Sequence, residues 1–237
     1  MAGKKIDKIK KLENLKDSIV VTNDSFSYAN ENYSRIRDNT LLFMNSGEKK
    51  VIAVQSSLSN ELKTTVVSNL AVSFGCIDKK VLVIDLDFRN PNVHRVFNVE
   101  KEDGLVDVML EKITIEQAIK TTEYKNVDIL SRGMKVYNPS FILLSNKFLT
   151  LIEKLKESYD VILFDTAPVL EVSDYVYLSK ISDGSIFLAT YGATKKRQVV
   201  EAINELKNQN IEIISVVFTK YPNRDGNRKY YYGNYGE

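Results

Sequence analysis

The chain has 237 residues, 43% of them hydrophobic, which suits one large α/β domain with a sizeable core. Its 33 Lys and Arg stand against 31 Asp and Glu, a net charge of +2 too even to argue for a nucleic-acid partner. The one cysteine, Cys76, excludes an internal disulfide and a cysteine-cluster metal site. No apolar run reaches the roughly 18 residues of a membrane span, so a cytoplasmic chain that meets the membrane only through a partner is expected.

In chain order, residues 1–18 are a basic leader in which Ile6, Ile9, Leu12 and Leu15 recur at helical spacing. Ser27 to Phe43 reads as a helix, and Gly47 to Lys50 as a polar break. Lys50 to Gln55 is a buried strand, Ser56 to Leu62 a loop, and Lys63 to Phe74 a helix stopped by Gly75, with Cys76 expected to pack inside. A strand, a loop and then Lys63-Thr64 opening a helix is the layout of a phosphate-binding loop. Such a loop surrounds an anion with backbone N–H groups and a helix N-terminus, while the lysine neutralises phosphate charge and the hydroxyl ligates magnesium. The usual Gly-x-x-x-x-Gly-Lys-Ser/Thr stands here as Ser57 to Thr64, with Leu62 in place of the last glycine. The expected nucleotide-binding residues are Ser57, Asn60, Glu61, Leu62, Lys63, Thr64 and Thr65.

Val81 to Ile84 is an apolar strand that runs into Asp85 and Asp87, and Val161 to Phe164 is a second that runs into Asp165. Ligands of open α/β sheets bind at the carboxyl ends of strands, so three carboxylates there suit a hydrated cation and a proton acceptor. His94 falls in a polar connection and is expected to be solvated. Gly104 to Leu110 and Ile113 to Ile119 are short helical candidates, and Val127 to Gly133 is a strand entering a turn. Phe141 to Glu157 is an amphipathic helix and Ser173 to Ile181 a further one. Ser185 to Thr190 is a strand, Lys195 to Asn208 a helix, and Ile211 to Phe218 the last strand. This alternation predicts a doubly wound, mostly parallel sheet of the P-loop NTPase type with helices on both faces. Residues 221–237 carry Pro, Asn, Gly and clustered tyrosines with no aliphatic residue, and are expected to form a mobile tail on a single domain.

These motifs resemble the bacterial tyrosine kinases (BY-kinases) of capsule and exopolysaccharide operons, in their separate cytoplasmic CpsD/CapB-type form. Val81 to Pro91 is similar to the family's second Walker segment, apolar residues followed by Asp-x-Asp-x-Arg. Leu163 to Pro168 is similar to its Walker B, Asp-x-x-Pro, and Tyr191 to Lys195 to its Tyr-Gly-x-Thr-x element. Tyr230 to Tyr235 matches its tyrosine cluster. The resemblance implies ATP and Mg²⁺ as cofactors, with Lys63 and Thr64 on the phosphates and magnesium. Thr64, Asp85 and Asp165 would make the metal shell, and Asp87 would accept the proton of an incoming tyrosine. Tyr230, Tyr231, Tyr232 and Tyr235 would be phosphorylated by a neighbouring protomer. The family's ring motif Glu-x-x-Arg-x-x-Arg reads Glu31 to Arg37 here with Ser34 at the first arginine, so Glu31 and Arg37 alone carry over to a weakened homo-oligomer. A membrane-anchored polysaccharide co-polymerase adaptor is the implied partner, which would place the chain at the inner face of the plasma membrane.

Two readings stand. The chain is an ATP-dependent tyrosine autokinase regulating capsular or exopolysaccharide biosynthesis, or it is a pseudokinase scaffold that docks on the adaptor with impaired ATP binding. The aspartates and the tail favour the first; Leu62 favours the second. If its position demands positive φ, strain opposes the loop, and Glu61 repels an anion if it faces one.

Overall fold

The computed structural model describes residues 18–22 and 27–222, so the leader helix and the tail tyrosines expected from the sequence lie outside the described residues. Strands β1 (Val51–Ser56), β2 (Val81–Asp85), β3 (Ile119–Thr121), β4 (Val127–Leu130), β5 (Val161–Asp165), β6 (Gly184–Thr190) and β7 (Ile213–Thr219) form one sheet in the order β3-β4-β2-β5-β1-β6-β7. Every pairing is parallel except β3 with β4. Between the strands lie α1 (Tyr28–Met44), α2 (Lys63–Gly75), α3 (Val93–Val96), α4 (Leu105–Met109), α5 (Ile115–Ala118), α6 (Ser140–Leu143), α7 (Asn146–Ser158), α8 (Tyr175–Leu178) and α9 (Lys196–Asn208).

The central strands are apolar on both faces because helices cover both. Alternate side chains go to opposite layers. Ile52, Val54, Val83 and Leu163 pack with Val67, Leu70 and Phe74 of α2, and Tyr33 and Ile36 of α1 lie against that cluster. Ala53, Ile84 and Phe164 pack with Phe148, Ile152 and Leu155 of α7. Ala202 and Leu206 of α9 cover Phe187 of β6. This arrangement is the doubly wound sheet that the strand–helix alternation predicts. Among the described residues no helix is long and apolar enough to cross a membrane.

Several local expectations are corrected. The helix expected over Ile113 to Ile119 is α5, four residues capped by Thr114 and Gln117; the chain then turns extended at Ile119 (ψ 130°) to form edge strand β3. The helix expected over Phe141 to Glu157 is two, because the Ser145 hydroxyl accepts the Phe148 N–H and starts a new helix there. The helix expected over Ser173 to Ile181 is only Tyr175–Leu178, as the chain first runs past the site to place Asp174 on Arg89. Cys76 is exposed, since it caps the end of α2 beyond its packed face. His94 is buried, because α3 turns that face under the sheet end; desolvation lowers its pKa to about 4.

Ser18 to Val21 runs beside α2, where Asn69 Oδ1 accepts the N–H groups of Val20 and Val21 and its amide donates to the Ser18 carbonyl. On the far side of the sheet, the turns holding Gly104 and Gly133 touch backbone to backbone. A Cβ on Gly104 would lie 2.3 Å from the Gly133 nitrogen and 2.4 Å from the Ser131 carbonyl oxygen. Neither atom is a side chain that could swing away. Gly104→Ala is therefore expected to lower stability by about 1–3 kcal/mol, the usual cost of overpacking, measured as a shift in the urea unfolding midpoint.

Candidate active site

Strands β2, β5 and β1 lie side by side, so the loops that leave their carboxyl ends converge. The parallel register sets Asp85 opposite Asp165, and Asp165 opposite Val54. Adjacent strands run about 4.8 Å apart, which forces the two carboxylates together at the strand ends. Both residues are buried. Asp85 Oδ1 accepts the Asp87 N–H at 3.2 Å and Oδ2 the Val93 N–H at 3.2 Å. Burial, and then the Asp165 charge, hold its carboxyl well above the usual range. Asp165 Oδ2 accepts the Thr64 hydroxyl at 2.7 Å, while its Oδ1 is buried without a hydrogen-bond partner. Burial raises its pKa to about 7, against the lowering pull of the Thr64 hydroxyl and the Lys63 charge.

The loop between β1 and α2 turns through left-handed backbone without glycine. Asn60 has φ 62° and Leu62 φ 67°, both left-handed. Left-handed backbone is mild for Asn, whose short side chain tolerates it, and costly for Leu, roughly 1–3 kcal/mol. Leu62 is the N-cap of α2 and offers no side-chain cap, so the first N–H groups of the helix have no side-chain acceptor there. Lys63 is buried, and its ammonium donates to the Ser56 hydroxyl at 2.9 Å. Ser59, Asn60, Leu62, Thr64, Thr65 and Asp87 line a cleft of about 460 Å³ in front of this loop.

Asp87 is half-buried beside the cleft. Its Oδ1 accepts the Asn90 N–H at 2.9 Å and the Arg89 N–H at 3.2 Å, which folds the segment after β2 into a tight turn. Ser57 is buried behind the loop with its hydroxyl unpartnered. Glu61 does not face the cleft. It is buried; Oε2 accepts the Leu58 N–H at 2.8 Å, and Oε1 accepts the Thr194 hydroxyl. The anion repulsion expected of Glu61 is thus absent from the cleft, because the backbone at Asn60 and Leu62 turns the side chain inward.

The structure brings Lys63, Thr64, Asp85, Asp87 and Asp165 to one place, with Thr65 on the cleft wall. It keeps Glu31 and Arg37 away, on α1, with partners of their own. Glu31 pairs with Arg35 one turn on; Arg37 pairs with Asp38 at 2.9 Å and donates to the Ser73 carbonyl at 3.3 Å. Sequence reasoning missed three groups. Arg89 pairs with buried Asp174 at 2.5 Å. Glu171 Oε1 accepts the Ser59 N–H at 2.7 Å across the cleft mouth. Arg132 is buried and donates to the Phe88 carbonyl at 2.9 Å, beside Asp87. The arginine two residues after Asp87 was a signal for the first; the others are tertiary contacts that no local pattern announces.

The donor set suits a hydrated divalent cation beside a phosphate chain. Among the described residues no group of three His, Cys, Asp or Glu could cage a metal. Magnesium held with substrate phosphates needs only one or two protein oxygens plus waters, and the unpartnered Asp165 Oδ1 and the Thr64 hydroxyl are the oxygens that would fit such an ion.

The AAA domain family model AAA_31 matches residues 49–214. The tyrosine-protein kinase YwqD of Bacillus subtilis (strain 168) is 32% identical over 200 residues, covering 84% of this chain and 84% of its own. The tyrosine-protein kinase ptk of Acinetobacter johnsonii is 28% identical over 209 residues, 88% of this chain but only 28% of its own length. Among solved structures, the chimerical protein CapA2B2 superposes with a TM-score of 0.83 at 27% identity, covering 87% of this chain and 91% of its own. The septum site-determining protein MinD of Pyrococcus horikoshii, complexed with Mg-ADP, gives 0.61 at 25% identity, covering 72% and 70%.

The Asp165 pKa sets a pH test on the metal-free protein. In the native state the proton is held to about pH 7, whereas an unfolded Asp loses it near 3.9. The native state therefore binds more protons between those values, and stability falls as pH rises through that window. The thermal midpoint should drop from pH 5 to pH 8. Asp165→Asn should flatten the drop and raise the midpoint at pH 8. Equal slopes in both proteins would show that this carboxyl does not titrate as described.

Proposed function

The chain belongs to the AAA domain family and, within it, to the bacterial tyrosine-protein kinases, and we propose that the cleft transfers the terminal phosphoryl group of Mg-ATP to tyrosine hydroxyls. The observation that carries this reading is the left-handed backbone at Asn60 and Leu62. Leucine at φ 67° is strained, and it stands in front of a helix end without a side-chain cap. Curving N–H groups around phosphate is a function that would keep such strain.

Phosphoryl transfer asks the protein for positioning and charge neutralisation more than for covalent chemistry. Lys63 and the N-terminus of α2 hold the phosphates. Thr64 and Asp165, with Asp85 behind them, would hold a magnesium ion, which when bound would supply neutralisation of phosphate charge. Asp87 takes the proton of the tyrosine hydroxyl as its oxygen bonds to the terminal phosphorus. The bond from that phosphorus to the bridging oxygen breaks, and ADP leaves. The tight turn at Asn90 and the Arg132 contact on Phe88 fix where Asp87 stands.

The acceptors we assign are Tyr230, Tyr231, Tyr232 and Tyr235 of a neighbouring protomer, the tyrosine cluster that the resemblance marks. Regulation of capsular or exopolysaccharide assembly, through a membrane-anchored co-polymerase adaptor at the inner face of the plasma membrane, follows from the resemblance. Glu31 and Arg37 supply at most a weak contact between protomers, since both carry partners within α1 and α2 and exposed pairs contribute about 0–1 kcal/mol.

Purified protein incubated with Mg²⁺ and labelled ATP should label its own tail. Asp87→Asn should reduce labelling by about 10²–10⁴-fold with the fold intact by circular dichroism, the usual range for losing a general base. Labelling that survives in Asp87→Asn would remove Asp87 from this role. A second expectation concerns affinity. Asn60→Gly with Leu62→Gly should tighten Mg-ATP binding about tenfold by calorimetry, because glycine adopts left-handed backbone without the Cβ penalty.

A further inference from the structure

Glu61 sits between the two left-handed residues of the loop and is 3% exposed. Its carboxylate joins two pieces of chain. Oε2 accepts the Leu58 N–H at 2.8 Å, from the rising side of the same loop. Oε1 accepts the Thr194 hydroxyl and lies 3.4 Å from the Thr190 N–H, at the end of β6. Thr194 is itself fixed there, since its hydroxyl oxygen accepts the Thr190 N–H at 2.9 Å. Among the described residues no Lys or Arg forms an ion pair with Glu61.

A buried carboxylate without a cation is retained against a large desolvation penalty and must be held by hydrogen bonds. These donors are the ones that define the loop: one comes from its own backbone and two from the neighbouring turn. They tie Glu61, which stands between the left-handed Asn60 and Leu62, to the turn that follows β6.

We propose that Glu61 is a positioning residue that does the work of the missing glycines, tying the phosphate loop to the Thr190–Thr194 turn so that Asn60 and Leu62 stay left-handed. Glu61 acts through the loop backbone and not on the nucleotide. The turn Tyr191 to Thr194 becomes part of the phosphate site without touching its ligand, and any shift of that turn is felt in the loop.

The inference rests on the nucleotide-binding reading for one of its two readouts, and a double-mutant cycle separates them. Glu61→Gln and Thr194→Val are each made in the native loop and in a loop carrying Asn60→Gly and Leu62→Gly. Mg-ATP affinity is read by calorimetry, and exchange of the loop amides 58 to 62 is read by NMR without nucleotide. In the native loop, both substitutions should weaken Mg-ATP at least tenfold and speed amide exchange. In the glycine loop the same substitutions should cost less than threefold, because glycine adopts left-handed backbone without the Cβ strain that Glu61 offsets at Asn60 and Leu62. A merely structural carboxylate would cost the same factor in both loops, and that result overturns the proposal. If no variant binds Mg-ATP, the nucleotide reading fails. The proposal still stands or falls on whether Glu61→Gln speeds loop exchange more in the native loop than in the glycine loop.

Discussion

Two carboxylates buried side by side at the ends of adjacent strands set the terms for the rest of this molecule. Asp85 and Asp165 face each other in register across β2 and β5, both out of water. Like charges so placed cannot both ionise cheaply, and burial already raises each pKa. The metal-free protein therefore carries a standing electrostatic cost at neutral pH. Asp165 Oδ1 has no partner while Oδ2 is held by Thr64. A ligand that bound this oxygen in the native state alone would stabilise the fold.

The surrounding loops position groups around that pair. The β2 loop folds back on Asp85 through the N–H groups of Asp87 and Val93, which makes Asp85 a structural anchor as well as a charge. The β5 loop reaches the phosphate loop twice, through backbone bonds from Val169 and Leu170 to the Ser56 and Ser57 carbonyls and through Glu171 to the Ser59 N–H. It then delivers Asp174 to Arg89 of the β2 loop. Three loops from three neighbouring strands thus brace one another.

The phosphate loop shows that conformation and composition can part company. Glycine is used in such loops because it adopts left-handed backbone freely. Here Asn and Leu hold the same dihedral region, and a buried glutamate stands between them. The loop shape is overdetermined from behind instead of being permitted by its own residues. The strain at Leu62 stays within the loop between β1 and α2, while the placement of Asp87 rests on the β2 loop.

Much of this was legible in the sequence, for local reasons. Four-residue apolar runs ending in Asp85 and Asp165 marked buried parallel strands, because only strands covered on both faces are apolar without alternation. Lys63-Thr64 after a strand and a loop marked the start of a helix, which is where α2 begins. What the sequence did not contain was any cue to contacts between distant segments. His94 read as solvated because its neighbours are polar, yet α3 carries it under the sheet end. Ile119 read as helical because it completes an apolar spacing, yet pairing with Leu130 draws it into an edge strand. Glu61 read as a threat to an anion because local pattern cannot say which way a side chain points from a left-handed backbone. Its partners, Thr190 and Thr194, are about 130 residues away. Periodicity and residue type determine which segments are strands, helices and loops, since those depend on neighbours along the chain. The direction a loop side chain faces depends on neighbours in space, and only the folded sheet supplies them.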